Sequence, residues 1–152
     1  MQTRHMFRTG VATLGAVIAV AGAQVASATA KTPRAKASAP VVKVTIKGRT
    51  TTLLKTTRIK APHGWIIRDH VAPGKCSADS AQGALNVATH GHWRGSWYAS
   101  YHEYYITSIM GLSETGKHYY WGIYVNGKVA SKGACEIKLH PGERLLFKVT
   151  KA

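Results

Sequence analysis

The sequence predicts an α+β domain: a mainly antiparallel sheet with one helix, preceded by a basic β-hairpin. Three observations carry this. Val41 to Lys47 alternates, with Val42, Val44 and Ile46 on one face and Lys43, Thr45 and Lys47 on the other, the period of a half-buried strand. Ser80 to His90 groups Ala84, Leu85 and Ala88 on one helical face. Tyr119 to Val125 runs into Asn126-Gly127, the strongest short hairpin signal, a type I′ turn. Strands, then one helix, then more strands is the order of an α+β domain, and no internal repeat interrupts it.

The N-terminus reads as a secretory signal peptide over residues 1–30. Arg4 and Arg8 form a positive start, Val11 to Ala23 is apolar or small, and Ala26-Ser27-Ala28 and Ala28-Thr29-Ala30 fit an A-x-A cleavage site. The run is shorter than the about 20 apolar residues that a membrane span requires. Residues 31–40 hold two prolines and no apolar periodicity, as expected of a flexible tether. Residues 41–152 are enough for a single domain.

Gly48 breaks the first strand, and Thr50 to Lys60 resumes as a β-branched, basic strand, so the two form a hairpin. Trp65 to Arg68 is a short apolar strand, and Ala72-Pro73-Gly74 a turn. Ser77, Asp79 and Ser80 are N-cap candidates for the helix, and Gly91 stands where a C′ glycine belongs. Gly83 inside the helix either weakens the case for a helix there or marks a close packing contact. His92 to His102 reads as an aromatic loop, Tyr104 to Met110 as a strand ended by Gly111, and Ser113 to Lys117 as a polar turn. Glu136 to Leu139 and Arg144 to Val149 are two further strands, joined through His140-Pro141-Gly142-Glu143.

The charge is lopsided. Twenty-one Lys and Arg face six Asp and Glu, a formal net charge of +15. The signal segment removes only Arg4 and Arg8 from the basic side and no acid. Such an excess speaks of solubility and partners rather than fold. It points to polyanions such as teichoic acids, lipopolysaccharide, extracellular nucleic acid or acidic sugars. Cys76 and Cys135 are the two cysteines, and both lie in the exported part. An even pair after export reads as one disulfide. Closing a loop of roughly 60 residues contributes about 4 kcal/mol in the chain-entropy model.

From Lys75 to Lys148 the chain resembles the bacterial domain-of-unknown-function family related to the C-terminal domain of transcobalamin and intrinsic factor. The residues that carry the resemblance are Ser80 to Ala88, Tyr105 to Ile109 followed by Gly111, and Tyr120-Trp121. Val125 to Lys128, Gly133-Ala134-Cys135 and Pro141 to Arg144 complete the set. The resemblance implies a β-grasp-like domain outside the cell that binds rather than catalyses. It implies bridging of Cys76 with Cys135, and cobalamin as the nearest ligand by analogy, with no cofactor otherwise expected. Where the family has a Gly-Asp turn near its end, this chain has Gly142-Glu143.

Trp121 is the ligand-contact candidate that the resemblance supplies, with Tyr119, Tyr120 and Tyr124 beside it. Alternation places Tyr119, Trp121 and Ile123 on one face and Tyr120, Gly122 and Tyr124 on the other. One face fills the core, and the other is available as an aromatic platform for a flat ligand or sugar. Trp93 and Trp97, with Tyr98 and Tyr101, form a second aromatic group on the glycine-containing stretch, either a recognition loop or one packed by its own side chains.

Lys43, Lys47, Arg49, Lys55, Arg58 and Lys60 are the polyanion-binding candidates; lysines on a strand also serve to block edge pairing. His90-Gly91-His92 invites a metal reading, but no third ligand stands at telling spacing, so no metal is expected. The acids are scattered, no G-x-S-x-G occurs and both cysteines are committed, so the chain is expected not to be an enzyme. A secreted binding domain follows, with a small extracellular ligand first and an anionic envelope polymer second. An unrecognised hydrolase stands third. Intracellular nucleic acid conflicts with export.

Overall fold

In the computed structural model, residues 38–67, 74–113 and 118–152 are described, and they belong to the compact unit Lys36–Ala152. The expected signal peptide, most of the tether, Arg68, the Ala72-Pro73 turn and most of the 113–117 turn lie outside the described residues.

β1 (Val41–Lys47) buries Val42, Val44 and Ile46 and turns Lys43, Thr45 and Lys47 outward. It pairs antiparallel with β2 (Thr52–Lys60), two register shifts interrupting the ladder. β3 (Trp65–Ile67) pairs with a strand not expected from the sequence, β4 (Lys75–Ser77). The helix α1 (Ala81–Ala88) starts at Ser80, whose Oγ accepts from the Gly83 N–H at 3.3 Å. It ends one residue earlier than expected. The N–H of His90 bonds the Val87 carbonyl, that of Gly91 bonds the Asn86 carbonyl, and both residues have positive φ. This is a Schellman end with His90, not Gly91, in the first left-handed position.

The expected aromatic loop is instead a hairpin. β5 (Trp93–Tyr98) pairs antiparallel with β6 (Glu103–Ile109). Trp93, Gly95 and Trp97 alternate with exposed residues along β5, a period that the glycine disguises. Gly95 is required there, because a Cβ would stand 2.7 Å from the Tyr105 carbonyl oxygen.

β7 (Tyr119–Val125) turns through Asn126 (φ 51°) and Gly127 (φ 83°) into β8 (Lys128–Val129), both residues left-handed as a type I′ turn demands. Glu136 to Leu139, expected as a strand, is not one. Its backbone serves the start of the helix: Ile137 O accepts from Ala81 N, and Leu139 N donates to Asp79 O. Only an isolated bridge, Ser80 to Lys138, remains.

The last strand, β9 (Arg144–Lys151), completes a mixed sheet in the order β2-β1-β9-β7-β8. β9 runs antiparallel to β7 and parallel to β1, a pairing between the two ends of the domain that local patterns cannot reveal. Leu145, Phe147 and Val149 join Val44 and Ile46 in the core with Leu85, Trp93, Tyr104 and Ile109. Arg144, Leu146 and Lys148 therefore share the outer face with Lys43 and Lys47.

Candidate functional site

β8 is two residues long and pairs only with Tyr124 and Val125. Along Tyr120 to Gly122, that side of β7 has no strand partner among the described residues. Between this edge, β6 and the Gly133-Ala134 turn lies an open pocket of about 320 Å³, within the usual range of small-ligand sites. Its rim is tyrosine. Tyr98, Tyr101, Tyr105 and Tyr120 are 49%, 71%, 44% and 37% exposed. Tyr98 and Tyr105 meet edge to face, ring centroids 6.3 Å apart. Trp121 also lines the pocket. It is 5% exposed, and its indole N–H has no partner among the described residues.

Glu103 supplies the pocket's carboxylate. Oε1 accepts from the N–H of Tyr104 at 3.0 Å, and both oxygens accept from the N–H of Cys135, at 3.1 and 2.9 Å. The side chain lies over Gly133, where any Cβ would stand 2.0 Å from Oε2. Burial raises the Glu103 pKa above its ordinary value of 4.5; the backbone hydrogen bonds oppose this, and the nearby Glu136 carboxylate adds to it. The Cys76–Cys135 disulfide, with Cα atoms 5.1 Å apart, holds the pocket's turn against β4. Cys76, Glu103 and Cys135 bring three metal-type donors within 4.8 Å. The two sulfurs are joined to each other, so the set offers no thiolate. No histidine takes part in such a group among the described residues.

Of the sequence candidates, Trp121, Tyr120, Tyr98 and Tyr101 come together here, and Trp93, Trp97, Tyr119 and Tyr124 go elsewhere. Trp93 is core: it is 2% exposed, its Nε1 donates to Asn86 Oδ1 at 2.9 Å, and its ring meets Tyr104 edge-on. Trp97 packs against Tyr104 at 4.9 Å. Tyr119 lies under the Arg49 guanidinium at 4.9 Å. Tyr124 is on the outer face, its hydroxyl 3.2 Å from that of Thr150. Sequence reasoning did not single out Tyr105 and Glu103. The signal was present in Tyr101 to Tyr105, where one of the six acids stands among tyrosines.

The outer face of the sheet is a second feature. Lys43 stands opposite Arg58 on β2 and beside Arg144 on β9, and Lys47 lies beside Lys148. A cleft of about 680 Å³ is lined by Lys47, Lys55 and Arg144 together with Thr45, Thr52 and Thr56. Lys60 ends β2 on the same face as Arg58.

Residues 82–151 match the family model described as Domain of unknown function (DUF4430). Over that stretch the chain is similar to the DUF4430 family. The match spans the helix, the Asn126-Gly127 turn and the last strand, stretches on which the resemblance to the transcobalamin-related family rests. Two solved structures share the fold of this chain. One is haptocorrin in complex with Cbi, at 18% identity and a TM-score of 0.55; the similarity covers 74% of this chain and 25% of that one. This chain therefore spans about a quarter of haptocorrin's length. The other is a candidate metal binding protein from Ruminococcus gnavus, at 15% identity and a TM-score of 0.53, covering 74% of this chain and 98% of that one. No curated protein sequence is detectably similar to this chain.

Proposed function

We propose that this protein is a secreted, non-enzymatic binding domain that takes a small extracellular ligand in the tyrosine-rimmed pocket. The observation that carries the reading is the rim itself, four exposed tyrosines gathered over one concavity that Trp121 also lines. Aromatic rings left in water at a pocket mouth bury a large area on stacking with a ligand. Secretion is supported by the signal-like residues 1–30 and by the disulfide. The β-grasp-like form of the fold is supported by the parallel β1–β9 pair within the sheet, with α1 packed against β1 and β2. Cobalamin is the first ligand to try, because the bound structure of similar fold is a haptocorrin complex. A pocket of about 320 Å³ grips part of so large a molecule. The test is titration of the oxidised protein with cobalamin, followed by visible absorbance. Saturable binding that withstands added salt and weakens in Tyr101→Ala supports this ligand. A flat titration removes cobalamin and leaves the pocket to smaller molecules.

A second reading rests on a different observation. Like charges directly across strands are destabilising, yet Lys43 has a cation on both sides. That arrangement suits a phosphate- or carboxylate-rich envelope polymer, held by Lys43, Lys47, Arg58 and Lys60 with Arg144 and Lys148. Of the other sequence candidates, Lys55 borders the cleft and Arg49 is stacked on Tyr119. Retention on an anionic polymer column that falls in Arg58→Glu is the expected result; unchanged retention removes this reading.

A further inference from the structure

The pocket's acid points to the chemistry of its ligand, on the reading that the pocket is the binding site. This chain has few carboxylates and a large excess of cations. Even so, Glu103 sits half-buried in the tyrosine pocket with no cation among the described groups that govern its charge. Its neighbour is a second carboxylate, Glu136. Backbone N–H groups hold the side chain in place, and the bare Cα of Gly133 makes room for it.

A ligand entering this pocket strips further water from the carboxylate. A neutral ligand makes that desolvation worse without compensation, and an anion adds repulsion. A cation compensates directly. The tyrosine faces select the kind of cation, because π-faces attract ammonium groups and also bury their alkyl substituents. An inorganic metal ion would gain little from four aromatic rings. The protein's overall positive charge does not decide the matter, since its field is screened beyond about 8 Å at physiological salt.

We propose that the pocket between β6, β7 and the Gly133-Ala134 turn binds an organic ammonium ion. Its alkylated nitrogen sits against Tyr98, Tyr101, Tyr105 and Tyr120, and its charge is matched by Glu103.

The test compares choline with 3,3-dimethylbutan-1-ol, its neutral carbon isostere, by calorimetric titration of the oxidised protein. Choline binding about tenfold or more tighter than the alcohol is the expected result. Glu103→Gln keeps an acceptor for the Cys135 N–H, and in it the preference collapses: choline loses affinity, and the alcohol gains because no charged carboxylate is desolvated. Tyr101→Leu, at an exposed position, keeps apolar bulk without the aromatic face and also narrows the preference. Equal binding of the two probes overturns the ammonium assignment and leaves the pocket reading standing. Binding of neither also overturns the ammonium assignment, and the cobalamin titration then decides the pocket reading separately. A choline preference that survives Glu103→Gln removes the carboxylate from the assignment.

Discussion

Glu103 and Gly83 show how single positions are governed by what surrounds them. Burial raises the Glu103 pKa above 4.5, so between 4.5 and that raised value the folded state holds more protons than the unfolded one. Stability then falls as pH rises through this window, and the contribution is fully present below it. Thermal unfolding followed from about pH 4 to about pH 7 is expected to show that decline in the natural protein and a flatter profile in Glu103→Gln. At Gly83, helix propensity alone favours alanine by about 1 kcal/mol. The added Cβ would stand 1.9 Å from the Ala78 carbonyl oxygen, on backbone that cannot swing away. Overpacking of this kind costs about 1–3 kcal/mol or more, so Gly83→Ala is expected to lower the urea midpoint rather than raise it. The sequence flags Gly83 because glycine is a poor choice inside a helix, and the structure decides that the reason is a close contact. It gives no such mark to Glu103, whose environment comes from Gly133 and Cys135, some thirty positions away.

At the scale of elements, the hairpins with strong turn chemistry are legible, and those without it are not. Asn126-Gly127 announces β7–β8, whereas β5–β6 turns through a short 3₁₀ segment, Ala99–Tyr101, with no familiar dipeptide. Glu136 to Leu139 has a strand's residues but meets the helix start before it meets the sheet. The disulfide joins the pocket's turn to β4. Replacing both cysteines with alanine is expected to cost about 4 kcal/mol, read as a lowered unfolding midpoint. Across β1 and β2, Arg58→Glu turns a repulsive pair with Lys43 into an attractive one. It is expected to stabilise the fold by about 0.5 kcal/mol in chemical denaturation. The same change is expected to weaken retention on an anionic polymer, so stability and binding move in opposite directions.

Over the whole molecule the two candidate surfaces differ in physics and are separable by salt. The tyrosine pocket works at contact distance, on stacking and one half-buried charge. The outer face is an array of exposed cations whose attraction for a polymer is screened as ionic strength rises. Raising salt from about 50 mM to about 500 mM is expected to release an anionic polymer while leaving a pocket ligand's affinity within about threefold. Polymer binding that ignores salt would remove the cationic face from consideration.

Local pattern determined the α+β class, the helix and its cap, the type I′ turn and the cationic outer face of β1, because each depends on residues within a few positions of one another. Two cysteines and an expected export sufficed to expect the one disulfide that the structure contains. Tertiary structure alone decided that β9 lies parallel to β1, that Trp93 and Trp97 pack inward, and that Tyr98, Tyr101, Tyr105 and Tyr120 converge on one pocket with Glu103. Those outcomes depend on which strand edges are left unpaired and which faces meet across the core. Such contacts link residues far apart in the chain, and no local period records them.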